Sequence, residues 1–269
     1  MLNSIRSLIF SGVISKQQAI SGEFYLGISG LQLPVPKYLY PEEHKDSSRL
    51  TYYATFFNSI EINSTFYKLP MLKTVQKWAS SVPSGFCFTF KLWKEITHVK
   101  DLAFKEEDVE RFFKAVSLAP NYRGCILIQF PPSFGVYHFR QVSSLIDCIN
   151  DCKEALGWRI AVEFRNRSWY TEDVFEYLEG KKISLVVHDI PKSATPAISH
   201  VGENMYVRFH GPTGNYRDSY SESFLYEYAS YVNDWLKEGK NVFVYFNNTM
   251  GDAFKNAVML KRFVSDLNF

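Results

Sequence analysis

Eight short apolar runs recur along the chain, each closed off by turn-forming or charged residues: 24–29 (FYLGIS), 58–63 (NSIEIN), 86–91 (FCFTFK), 124–130 (GCILIQF), 159–165 (RIAVEFR), 183–188 (ISLVVH), 204–210 (NMYVRFH) and 242–247 (VFVYFN). Their length and their β-branched and aromatic content predict strands. Successive side chains of a strand point to opposite faces, so each run sorts into two sets. One set is almost wholly apolar: Leu26 and Ile28, Ile60 and Ile62, Phe86, Phe88 and Phe90, Ile126, Ile128 and Phe130, Ile160, Val162 and Phe164, Ile183, Leu185 and Val187, Val207 and Phe209, Val242, Val244 and Phe246. The other set ends in a polar group on every run: Ser29, Glu61 with Asn63, Lys91, Gln129, Glu163 with Arg165, His188, Arg208 with His210, and Asn247.

Between the runs the period changes to that of helices. In 106–118, Val109, Phe112, Phe113 and Val116 fall on one helical face, acidic residues occupy the first turn and Pro120 lies just past the end. Segments 137–156, 220–239 and 252–267 repeat the pattern, whereas 189–203, with Pro191 and Pro196, has no period and reads as a loop. Alternating strands and helices form parallel sheets, and eight such units in a chain of 269 residues match a single-domain (β/α)8 TIM-type barrel. An open doubly wound sheet is the runner-up. In the barrel the apolar set faces the helices and the mixed set faces inward.

Composition narrows the classes further. Hydrophobic residues make up 46% and charged residues 22%, which excludes a disordered or coiled-coil chain. A net charge of +2 provides no global field for nucleic acid or an anionic membrane. Cys87, Cys125, Cys148 and Cys152 form no C-x-x-C pair, so the expectation is a reduced, cytoplasmic protein. No apolar run has the roughly 18 residues of a membrane span. Residues 1–22 read as a helical extension, not a signal peptide, ahead of a domain at 23–269.

Burying Glu61, Lys91, Glu163 and Arg208 inside a barrel costs several kcal/mol for each charge left unpaired. They also sit at the C-terminal ends of their strands, where barrel enzymes build their sites. The expectation is therefore a ligand pocket on that face; the competing reading is a self-neutralising network.

These residues lie within segments that resemble the YecE-like family: EINSTFYKLP (61–70), FTFKLWKEITHVKDL (88–102), GCILIQFPPSF (124–134), AVEFRNRSWY (161–170), YVRFHGP (206–212) and VYFNNTMGDAFKNA (244–257). The resemblance runs in order from about Phe24 to Phe263 and implies a TIM-type barrel, grouped with sugar-isomerase-like barrels. It implies no reaction, because the family has no assigned chemistry. Where relatives usually carry Gly-Trp after the first strand, this chain has Gly30-Leu31.

Glu163 is the first candidate general base, with burial raising its pKa; alternatively it pairs with Arg208 or Lys91. Glu61, beside Asn63, is the second carboxylate. Lys91 on the neighbouring strand either neutralises Glu61 or acts as an electrophile or Schiff-base lysine. Arg208 and His210 would stabilise an oxyanion. An anion subsite is expected where glycines follow strands seven and eight, at His210-Gly211-Pro212-Thr213-Gly214 and Asn247-Asn248-Thr249-Met250-Gly251, with Arg165 and Arg208 as bidentate contacts. Gln129, Asn247, Asn248 and His98 complete the ligand contacts, and Tyr67, Trp93, Trp169, Tyr216 and Tyr220 are candidate aromatic walls. His188, His210 and Glu163 could in principle hold a divalent metal, but three cations point into the same mouth, so no cofactor is expected. The favoured reading is an enzyme acting on a small phosphorylated or carboxylated, sugar-like metabolite by carboxylate acid/base chemistry. Nucleic-acid processing and non-catalytic metabolite binding are the alternatives.

Overall fold

A computed structural model describes residues 22–118, 120–196 and 202–267; the expected extension at 1–22 lies, apart from its last residue, outside them. Eight parallel strands follow in chain order: β1 Phe24–Ile28, β2 Ser59–Ile62, β3 Cys87–Lys91, β4 Arg123–Gln129, β5 Arg159–Glu163, β6 Ser184–His188, β7 Asn204–Phe209 and β8 Asn241–Phe246. Every neighbour pair from β2 round to β8 and on to β1 is joined by a parallel ladder. The helices are α1 Arg49–Tyr53, α2 Leu72–Ser80, α3 Lys94–Thr97, α4 Glu106–Ala115, α5 Phe139–Asp151, α6 Glu172–Gly180, α7 Glu222–Lys237 and α8 Ala253–Leu267. Each β-to-β connection carries one or two of them except β6 to β7, whose described residues hold no helix, as the missing period in 189–203 predicts. This is the TIM-type barrel.

Local chemistry sets the element ends. Ser221 caps α7, its hydroxyl accepting from the Phe224 N–H at 3.2 Å. At the other end Gly239 takes φ +81°, a left-handed turn open to glycine at little cost, and Lys240 N–H closes back on the Trp235 carbonyl. Glu106, Glu107 and Asp108 crowd the first turn of α4, complementing its dipole.

The core has two parts, divided by strand parity. Leu26, Ile28, Phe88, Phe90, Ile126, Ile128, Val162, Val207 and Val244 pack outward against the helices. Inside the barrel, Cys125, Leu127, Ala161, Val186, Tyr206, Phe243 and Tyr245 form a second, smaller cluster with Tyr25 beside it. Barrel interiors are usually filled by branched aliphatics; this one is aromatic and hydroxylated. The Tyr245 hydroxyl lies 2.6 Å from Ser59 Oγ and 2.7 Å from Thr89 Oγ1, so its burial is satisfied by hydrogen bonds.

One seam is built differently. Between β1 and β2 the backbone contributes a single bridge, Ser29 to Glu61. Side chains supply the rest. Asn58 accepts from Leu26 N–H at 2.9 Å and donates to the Phe24 carbonyl at 2.7 Å. The buried Tyr53 hydroxyl accepts from Ile28 N–H at 2.8 Å and donates to the Ser59 carbonyl at 3.0 Å.

Candidate functional site

Parity brings the charged ends of β2, β5 and β7 together across the barrel. Arg208 is their hub. Its Nε lies 3.1 and 3.0 Å from the two Glu61 oxygens, and one terminal nitrogen donates to Glu61 Oε1 at 2.8 Å. The other terminal nitrogen donates to Glu163 Oε2 at 2.9 Å and to His210 Nε2 at 3.1 Å. Arg208, Glu61, Glu163 and His210 are all buried. Tyr206 adds a 2.5 Å hydrogen bond to Glu61 Oε2, and Arg165 Nε pairs with Glu163 Oε1.

These contacts fix the protonation states. Burial alone would raise both carboxyls, but Arg208 outweighs it at Glu61, and Arg165 with Arg208 outweighs it at Glu163; both lie below the usual carboxylate range. The expectation that burial tunes Glu163 upward as a general base is therefore corrected: it is an ionised anchor for two guanidiniums. His210 Nδ1 lies 3.2 Å from Asp189 Oδ1, so that nitrogen carries the proton and Nε2 receives N–H groups from Arg208 and Arg165, each at 3.1 Å. Burial, aided by the two guanidiniums, pushes His210 down to about 4. Asp189 is held in turn by the Tyr220 hydroxyl and accepts from His210 N–H at 2.8 Å.

Of the two roles expected of Lys91, neutralising Glu61 falls away. Arg208, not Lys91, neutralises Glu61. The Lys91 ammonium donates to Gln129 Oε1 at 2.7 Å and rests 4.1 Å from the centre of the Phe66 ring. Among the described residues no carboxylate lies within ion-pair distance of it. Burial and the field of Arg208 lower its pKa to about 8. His98 meets the same Phe66 ring edge-on at 4.8 Å, and burial together with Lys91 and Arg165 lowers it to about 4. Asn63 faces this group from the turn after β2, its Oδ1 3.5 Å from Arg208 Nη2. Asn247 follows β8, with its N–H on the Phe209 carbonyl at 2.6 Å.

Other expected residues stand elsewhere. Trp169 is fully buried in the helix-facing core, stacked on Phe164 at 4.4 Å and donating to the Phe134 carbonyl at 2.7 Å, so it cannot wall a pocket. Arg208 has all three guanidinium nitrogens engaged and offers no bidentate face to a ligand. Asn248 is buried and ties the β8 loop to the Asp218 carbonyl and Asn256. The glycine loops are occupied from within as well: Gly211 N–H donates to the Tyr220 hydroxyl, Gly214 N–H to Gly211, and Gly251 N–H to Asn248. A Cβ on Gly211 or Gly251 would lie 2.3 or 2.4 Å from the carbonyl oxygens of Arg217 and Asp218, so these glycines serve loop packing. Tyr67 is exposed, edge-on to Phe66 at the rim. Tyr216 does reach the site, its ring 5.6 Å from His210.

Of the groups considered for a metal, His188 Nδ1 accepts from Ile190 N–H and its Nε2 lies 2.9 Å from the Phe164 carbonyl, while His210 Nε2 faces two guanidiniums. Neither presents a free lone pair. No group of three His, Cys, Asp or Glu side chains among the described residues is arranged to hold a metal ion.

Asp189 and Tyr206 are the site residues that sequence reasoning missed. Tyr206 carries the inward parity of Arg208, a usable signal. Asp189 lies one residue beyond the last inward position of β6, where parity ends.

Comparison with known proteins agrees with the barrel fold. A family model described as protein of unknown function DUF72 matches residues 25–268. The UPF0759 protein YunF of Bacillus subtilis is 28% identical over 250 residues, 81% of this chain and 87% of the relative. The UPF0759 protein YecE of Escherichia coli is 36% identical over 84 residues, 31% of this chain and 30% of its own length. A crystal structure of a DUF72 family protein from Thermotoga maritima superposes with TM-score 0.73 at 28% identity, covering 90% of this chain and 99% of that one. One from Enterococcus faecalis superposes with TM-score 0.75 at 23% identity, covering 90% and 95%, and speaks to the fold alone.

Proposed function

The chain belongs to the DUF72 family of proteins of unknown function, and from that premise we propose that its barrel mouth binds a small phosphorylated or carboxylated metabolite, with Lys91 as the group that moves a proton. One observation carries the reading. Glu61 and Glu163 neutralise Arg208 and Arg165, whereas Lys91 is a half-buried cation with a neutral amide and an aromatic face as its partners. A desolvated cation without a counter-charge gains from an anionic ligand, because the low local dielectric strengthens the attraction. Arg165, at 11% side-chain exposure, stands between the buried network and the mouth. Its charge is paired with Glu163, but Nη1, which meets the Tyr216 hydroxyl at 3.5 Å, keeps an N–H that could serve a developing oxyanion.

A lysine near 8 is partly neutral at pH 7.5 to 8 and can accept a proton, the role first expected of Glu163. The two glutamates and His210 hold Arg165 and Arg208 in place. Non-catalytic binding uses the same contacts and is separated from catalysis by turnover alone.

The test is calorimetry at pH 8.5 with inorganic phosphate, glucose 6-phosphate and citrate, in buffers of different ionisation enthalpy. Anion binding raises the Lys91 pKa, so proton uptake should accompany binding, and both affinity and uptake should fall in Lys91→Met. Anion binding equally tight in Lys91→Met, or absence of binding by every anion, refutes the proposal.

A further inference from the structure

On the helix-facing side of β2, at the strand's C-terminal end, a cavity of about 260 Å³ opens between the β1 loop, β2, α1 and α2, lined by Gly30, Leu31, Leu50, Ile60, Ile62 and Trp78, with Asn63 and Ser64 on one wall. Leu31, Ile62 and Trp78 are only partly buried, so the lining is reachable from solvent. Gly30 contributes open space: at φ +120° its missing Cβ would meet nothing within 4 Å. The loop around it is held from two sides. Arg49 donates to the Leu31 carbonyl at 3.1 Å, and the Gln32 amide donates to the Thr249 carbonyl.

Asn63 joins this cavity to the charged site. Its Oδ1 lies 3.5 Å from Arg208 Nη2 while the residue also walls the cavity. The β2–β3 register pairs Ile62 with Phe90, which sets the next residues, Asn63 and Lys91, side by side. Thr65 locks that arrangement, its hydroxyl proton shared between the carbonyls of Ile62 and Lys91 at 2.9 and 2.7 Å.

We propose that the ligand is amphiphilic: an anionic head against Lys91 and an apolar group, of the size of a phenyl ring or branched alkyl chain, in the Leu31–Ile62–Trp78 cavity. This rests on the mouth being the anion site. The volume sets the size: a dry cavity of about 150 Å³ holds benzene, so 260 Å³ takes one such group with room at its edges. It falls below the roughly 300–1,000 Å³ of sites that enclose a whole drug-sized ligand, as expected if the head lies outside it.

Calorimetry on the full chain with inorganic phosphate, phenyl phosphate and phenol tests this. Phenyl phosphate should bind at least tenfold more tightly than phosphate. Leu31→Trp should fill the cavity and erase that advantage while leaving phosphate affinity in place; Leu31→Ala should keep it. Ser64→Trp, on the exposed wall, provides a second obstruction should Leu31→Trp fold poorly. Phosphate binding with no phenyl advantage, or an advantage that survives both tryptophans, overturns this inference and leaves the anion site standing. Binding of neither anion overturns both.

Discussion

The locked tautomer of His210 makes a specific claim about pH. In the folded chain its Nε2 receives two guanidinium N–H groups, and the histidine titrates at about 4 instead of 6.5. Unfolding releases it to its ordinary value. Between those two values the unfolded chain binds a proton that the folded chain refuses, so stability falls as pH falls from 6.5 toward 4. With these two values the linkage relation gives a loss of about 2 kcal/mol between pH 7 and pH 5. At a urea slope of about 2 kcal/mol/M that is a fall of roughly 1 M in midpoint. His188, also lowered by burial, adds in the same direction. His210→Gln retains a donor toward Asp189 and an acceptor toward the arginines but has no proton to bind. Urea unfolding of both proteins at pH 7 and pH 5 should show the variant losing about 2 kcal/mol less than the parent. Equal losses would mean that His210 protonates freely in the folded state, and the tautomer argument would be wrong. Glu61 and Glu163 act in a separate window: their contribution is complete above the usual carboxylate range near 4.5 and is lost as pH falls through their depressed folded values.

Glu61→Gln leaves half the countercharge of a fully buried guanidinium missing, and chemical denaturation should register a loss of about 3–5 kcal/mol; a loss under 1 kcal/mol would show that the network is hydrated. Trp169→Ala should cost about 3–5 kcal/mol in thermal or urea melts yet leave anion affinity unchanged, because Trp169 stacks on Phe164 behind the strands; weakened binding in a well-folded variant would return it to the site. Tyr53→Phe leaves the Ile28 N–H and Ser59 carbonyl unpaired and should destabilise by about 1–3 kcal/mol, with hydrogen exchange accelerating first in β1; exchange rising equally across all strands would argue against a local seam.

Parity made much of the site legible. Glu61, Lys91, Glu163 and Arg208 can be picked out because a charged residue on an inward position of an otherwise apolar strand has no cheap stability role. Pairings were less accessible. Arg208 and Glu61 are 147 residues apart and meet across the barrel axis, so no spacing rule shows that Arg208 displaces Lys91 as the partner of Glu61. The direction of the Glu163 shift turned on the same missing information: burial is readable from the pattern, but two guanidiniums converging on one carboxylate are not. Trp169 failed for a simpler reason. It sits in a short turn after β5, where period-2 reasoning has ended and a bulky ring can fold back under the strand. The glycines after β7 and β8 were read as room for an anion, whereas the neighbouring segment 217–218 fills that room.

The seam between β1 and β2 also bears on what keeps the barrel closed. Seven interfaces are held by backbone ladders. The eighth joins the first strand to the second, yet backbone pairing hardly contributes to it. Closure of the ring therefore rests on Asn58 and Tyr53, which hold four backbone groups between them, and those two side chains act as a latch that fastens the cylinder. Glu61 lies on that seam, bridged to Ser29, so the latch that joins the first strand to the second also keeps the carboxylate facing Arg208.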